Sequence, residues 1–156
     1  MYMIKNINKN ETVISKIENT QNADNLLYNI QSSLINDDFS TTHFYNEDLP
    51  AYMQSNIDII DNQILKILGP SYKSINEINE IYFTATQTNN SDKSFIQLHT
   101  DSPMYFCSTY RFLVCLKPNE KVTTIIPGDN YSEKLNKYDI LGFDYANTLH
   151  YITISE

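Results

Sequence analysis

A mainly β fold with helices at its amino end is what this sequence predicts, on three observations. Apolar residues recur at helical spacing up to Leu68, they alternate at strand spacing beyond Glu80, and Gly69-Pro70 marks the change of period. Helices first and strands afterwards is the layout of a jelly roll buttressed by helices, because a helix with one apolar stripe needs a sheet to bury it against. With 156 residues the chain is expected to form a single domain over 1–156, a helical buttress over 1–70 and the β core over 80–156. A domain of this length buries roughly 70% of the surface its unfolded chain exposes, so it needs no covalent staple.

Each element has its own signal. Val13, Ile14 and Ile17 are the apolar cluster of the first twenty residues and suggest a short strand or helical turn. From Asn22, the spacing of Leu26, Leu27, Ile30 and Leu34 predicts one helix face, ending near Asn36-Asp37-Asp38. Ser40 to Tyr45 could pair as a short strand. A second helix is announced by Asp48 as cap and Pro50 in its first turn, with Met53, Ile57, Ile60, Ile64 and Ile67 on its buried face and Gly69 at its end. Glu80 to Thr88 reads as a strand, followed by the Asn89-Asn90-Ser91-Asp92 turn. Further strands are expected over Phe95–His99, Tyr110–Leu116, around Thr123-Thr124, from Asn136-Lys137 onward, and over Leu149–Ile154, with a turn at Pro127-Gly128-Asp129-Asn130. The Tyr110–Leu116 run is apolar at both parities, so it is expected to be covered on both faces.

Composition narrows the function. A net charge of −8 argues against a nucleic-acid partner, whose phosphates would demand clustered Lys and Arg. No window resembles a membrane span or a signal peptide, and Cys107 and Cys115 are too few to suggest a disulfide framework, so free thiols and a cytoplasmic location are expected.

The chemistry concentrates in Leu98-His99-Thr100-Asp101-Ser102-Pro103 and a distant His150. Residues two apart on a strand project from the same face, so His99 and Asp101 can approach one ion, and His150 can join them from another strand. Two imidazoles and a carboxylate on one face of an octahedral Fe(II) leave the other face for a cosubstrate and dioxygen. The bland alternative is a strand-end histidine, a turn-starting Asp101 and a hydrogen-bonded His150. His43, the remaining histidine, reads as a partly exposed residue between strand and helix.

The chain has ten Lys but a single Arg, and Arg111 sits inside the apolar run. An unpaired guanidinium there would be costly, so an anion should meet it: a structural carboxylate such as Asp139 or Asp144, or a bound dicarboxylate held bidentately.

Taken together, His99-Thr100-Asp101-Ser102-Pro103, the Tyr110–Pro118 segment, Thr123-Thr124, and Asp139–Tyr145 leading into Leu149-His150-Tyr151 resemble the iron(II) and 2-oxoglutarate dependent oxygenases. The likeness is greatest to the aspartyl/asparaginyl β-hydroxylase and prolyl-hydroxylase-like branch. It implies a double-stranded β-helix of cupin type and Fe(II) on His99, Asp101 and His150. It further implies 2-oxoglutarate as cosubstrate with Arg111 on one of its carboxylates, and hydroxylation of a C–H bond coupled to oxidative decarboxylation to succinate. Tyr82, Thr84 and Gln97 are candidates to line the cosubstrate pocket. Family members often carry a further basic residue beyond the distal His, and none stands between His150 and Glu156; either Arg111, with Lys117 or nearby hydroxyls, holds the cosubstrate, or another cosubstrate is used, or the site is catalytically inactive. A peptide or small-molecule substrate is expected, chosen by loops around Ser102–Ser108 and Asn130–Lys137. Two alternatives accompany this reading. One is a metal-binding or catalytically inactive jelly-roll module acting by protein interaction; the other is an iron dioxygenase that does not use 2-oxoglutarate.

Overall fold

Helices and antiparallel sheets both appear in a computed structural model of the chain, which describes residues 12–33, 40–45, 49–70, 72, 81–87, 96–101 and 110–155; for Ser33, 40–45 and 81–87 it describes the backbone only. The elements are β1 (Val13–Lys16), α1 (Thr20–Ser33), β2 (Ser40–Tyr45), α2 (Ala51–Leu68), β3 (Ile81–Gln87), β4 (Arg111–Val114), β5 (Val122–Ile126), β6 (Tyr131–Glu133), β7 (Asp139–Phe143) and β8 (Tyr151–Ile154). They fall into two compact units, one made of 1–8 and 17–87, the other of 9–16 and 88–156.

In the first unit α1 packs on α2, and β2 pairs antiparallel with β3. On α1, Leu26 and Ile30 of the expected stripe are buried together with Ala23, Leu27 is partly buried and Leu34 lies outside the described residues; on α2, Met53, Ile57, Ile60, Ile64 and Ile67 are all buried, so the stripe read from spacing is its packed face. Each of the buried Leu, Ile and Met side chains contributes about 1.5–3 kcal/mol through burial. Gln63 is buried on the same helix and stays satisfied because its Oε1 accepts the Glu18 N–H at 3.0 Å. Pro50 occupies the N-cap position of α2, just outside the first turn, and Asp48 lies outside the described residues. Gly69 ends α2 at φ 93°, where its N–H reaches the Leu65 carbonyl at 2.9 Å. The expected continuation of α1 to 36–38 and the 89–92 turn also lie outside the described residues.

The second unit holds two three-stranded antiparallel sheets, ordered β1-β7-β4 and β6-β5-β8. Ile126 of β5, Tyr131 of β6, Leu141 and Phe143 of β7, and the following Tyr145 form one buried cluster between them. The described strands make open sheets and do not close into a barrel.

Several strands differ from expectation. The strand buried on both faces is β7, where Ile140, Leu141, Gly142 and Phe143 are all buried, because it is central; among the described strands β4 lies at an edge, and its Leu113 is exposed. β7 begins at Asp139, later than Asn136-Lys137 suggested. A turn takes those residues instead: the Asp139 N–H donates to the Asn136 carbonyl at 3.0 Å, the Asn136 N–H donates to Asp139 Oδ2 at 2.7 Å, and Tyr138 adopts φ 74°. Residues 127–129 form a 3-10 turn closed by Asn130 at φ 52°, which feeds β6, a strand the sequence pattern did not signal. Of the expected Phe95–His99 strand, the described part is a single bridge at His99, since the chain bends at Ile96 and Gln97. Cys115 is a free thiol, and Cys107 lies outside the described residues. No helix among the described residues is long and apolar enough to cross a membrane.

Candidate metal centre

Two short-range backbone connections assemble the site in the second unit. His99 and His150 exchange both backbone hydrogen bonds, at 3.1 and 2.9 Å, so the two histidines face each other across adjacent chains. The N–H of Asp101 then donates to the Tyr145 carbonyl at 2.9 Å. Tyr145 belongs to the turn from β7 to β8, which Asp144 organises. Buried at 3% exposure, the Asp144 carboxylate accepts both of its bonds from Asn147 Nδ2, at 3.1 and 3.0 Å, while its carbonyl accepts the N–H groups of Asn147 and Thr148.

The side chains converge. Nε2 of His99 lies 3.3 Å and Nε2 of His150 lies 3.4 Å from the same oxygen, Oδ1 of Asp101. One donor atom from each residue lies within 4.8 Å of the others. Two ligand atoms at right angles around one ion, each about 2.1 Å away, would be about 3.0 Å apart, close to what is seen.

Both rings are fixed in the tautomer that a metal needs. His99 Nδ1 lies 2.5 Å from the Gln97 carbonyl and His150 Nδ1 lies 2.8 Å from the Thr148 carbonyl. A carbonyl oxygen can only accept, so each Nδ1 carries a proton and donates it. In a neutral ring Nε2 then bears a lone pair, and both lone pairs would face a carboxylate oxygen. Such an arrangement calls for positive charge at its centre, either a proton or a cation, and two imidazoles with one carboxylate are a donor set that can hold a divalent transition metal. The Phe143 ring packs 4.7 Å from that of His150 and shields its apolar side.

The electrostatics follow. Burial alone would push Asp101 up, but the hydrogen bond from His150 and the charges of Arg111, His150 and His99 outweigh it and hold the carboxyl below its ordinary 3.8. Burial likewise works to lower His150, yet its bonds to Asp101 and to the Thr148 carbonyl raise it above 6.5, despite Arg111.

Arg111 meets neither of the structural carboxylates suggested by sequence. Asp139 pairs with Lys16 at 2.8 Å and Asp144 is taken by Asn147; the partner of Arg111 is Asp101, with Nη1 2.7 Å from Oδ2. Its guanidinium also stacks 4.5 Å over the Tyr145 ring. Gln97 contributes its backbone carbonyl to His99, and its side chain is exposed. Tyr82 and Thr84 lie on β3 in the first unit, as does the Thr84 partner His43 on β2, and their side chains lie outside the described residues. Tyr145, Asp144 and Thr148 were not foreseen as supports of the site. The signal available was the Asp-x-x-Asn-Thr run between two strands, which reads as a side-chain-stabilised turn placed just before His150.

Comparison of the chain with models of protein families, with curated proteins and with solved structures finds no match.

Proposed function

We propose that the chain is an Fe(II) and 2-oxoglutarate dependent dioxygenase that hydroxylates a C–H bond of a peptide or small molecule. One observation carries this reading: both imidazoles, with Nδ1 committed to backbone carbonyls, turn Nε2 toward a single oxygen of Asp101. The strand order also supports a double-stranded β-helix. The His99 segment bridges to His150 just before β8, and β5 and β6 continue that sheet, whereas β4 and β7, interleaved with them in sequence, belong to the other one.

His99, Asp101 and His150 would hold Fe(II), which supplies dioxygen activation when bound. The protein's own contribution is position. Gln97 and Thr148 carbonyls set the ring orientation, Tyr145 docks the acid, and Phe143 excludes water from one side of His150. Nη1 of Arg111 is engaged by Asp101, but a guanidinium has five N–H donors and the Arg111 side chain is 39% exposed, which leaves donors for a cosubstrate carboxylate.

The test is anaerobic Fe(II) titration followed by succinate formation from 2-oxoglutarate under air. Stoichiometric binding lost in His99→Ala and Asp101→Ala, with succinate released by the unaltered chain, is expected; absence of binding would sink the proposal. The pairing of Arg111 with Asp101 favours a second reading, an iron dioxygenase that takes no 2-oxoglutarate. Metal binding without any succinate, together with dioxygen consumption on another substrate, would select it.

A further inference from the structure

The two oxygens of Asp101 serve different partners. Oδ1 faces Nε2 of His99 and of His150, while Oδ2 lies 2.7 Å from Arg111 Nη1. Arg111 is itself held in place, since its guanidinium lies over the ring of Tyr145, and the carbonyl of that same residue accepts the backbone N–H of Asp101. Tyr145 therefore fixes both ends of the ion pair. β4 and β7 set the register that makes this possible, with Arg111 directly opposite Phe143, two residues before Tyr145.

From this division we infer that Arg111 is a positioning residue that restricts Asp101 to one oxygen on the metal, an inference that rests on the metal-centre reading above. A carboxylate free to rotate can offer both oxygens to a cation and occupy two coordination positions. A charge-assisted hydrogen bond on Oδ2 holds that oxygen away, which keeps one more position open for an external ligand. Arginine suits the task better than lysine, because its flat head stacks on an aromatic face while donating sideways. The ten lysines of the chain could supply charge but not this geometry.

Cobalt(II) serves as the probe, since its visible absorption reports coordination number and binding can be titrated without turnover. The unaltered chain should bind one Co(II), and Arg111→Met should bind it with a spectrum shifted toward higher coordination number and an affinity changed roughly 10- to 100-fold. Arg111→Lys should fall between the two, as charge without the planar fork. Equal affinity and an unchanged spectrum in Arg111→Met, where His99→Ala has lost binding, would overturn this inference and leave the metal centre standing. No binding by the unaltered chain, or binding indifferent to His99→Ala, would overturn the metal centre and this inference with it. Should Arg111→Met fail to fold, a crystal structure of the cobalt-loaded unaltered chain decides. Oδ1 alone on the metal with Oδ2 still on Arg111 is the expected result, and a chelating carboxylate is the refuting one.

Discussion

The backbone N–H of Asp101 donates to the carbonyl of Tyr145 over 2.9 Å, so the acid of the candidate triad is docked on the turn leaving β7 while its two histidine partners are joined to each other. Site geometry thus depends on a turn whose own anchor, the Asp144 carboxylate, bonds to the Asn147 amide.

Asp144→Ala should loosen that turn. It removes both bonds to the exposed Asn147 amide, which water can then solvate, and should cost about 0.5–1.5 kcal/mol of stability, with Co(II) affinity falling as well. Chemical denaturation and a cobalt titration check this; an unchanged midpoint would show that the turn holds without its carboxylate.

Metal should stabilise the fold. At a cation concentration a hundredfold above Kd, the native state gains about 2.7 kcal/mol, so the melting temperature should rise and return to its starting value with a chelator. His99→Ala should abolish the rise, since it removes one donor of the three.

The pH dependence of the metal-free chain follows from two opposite shifts. Asp101 is lowered, so its contribution is present above the ordinary 3.8 and is lost as pH falls through the depressed value. His150 is raised, so its contribution is fully present below the ordinary 6.5 and is lost as pH rises through the elevated value. Stability from the pair should therefore form a plateau between the two, and His150→Gln should remove its alkaline limb in melting curves. Cation binding requires His150 without its Nε2 proton, so affinity should weaken as pH drops below the raised value.

Gly142→Ala tests the packing of β7 on β4. An added Cβ would lie 2.2 Å from the Phe112 ring, so that ring must move, at a cost of about 1–3 kcal/mol. Because Phe112 adjoins Arg111, the variant should also disturb the cobalt spectrum; an unperturbed spectrum would show that the ring relaxes independently of its neighbour.

Much of the local structure was legible because periodicity reports burial directly. Met53, Ile57, Ile60, Ile64 and Ile67 mark a helix face whatever packs against it, and the residue types of His99, Asp101 and His150 mark candidate metal ligands without coordinates. What stayed hidden was pairing. Nothing in the apolar run around Arg111 reveals that β4 lies at an edge among the described strands, or that Asp101 is the carboxylate the guanidinium meets. β6 was invisible because Tyr131-Ser132-Glu133 buries only its first side chain and carries no alternating pattern long enough to recognise. The supports of the histidines are backbone carbonyls, which every residue possesses and no sequence can single out.

β1 belongs to the second unit although residues 17–87 of the first separate it from the rest of that unit in the chain, and it covers the flank of β7 opposite β4. A fragment starting at Thr88 would leave that flank as a bare row of amides and carbonyls, an invitation to pair with another molecule. Such a fragment should clump when expressed by itself, and a synthetic peptide spanning Thr12 to Lys16 should be able to dock into the gap and keep it dispersed. The amino-terminal strand is thus a removable cover, and a split version of this protein has a natural place to be cut.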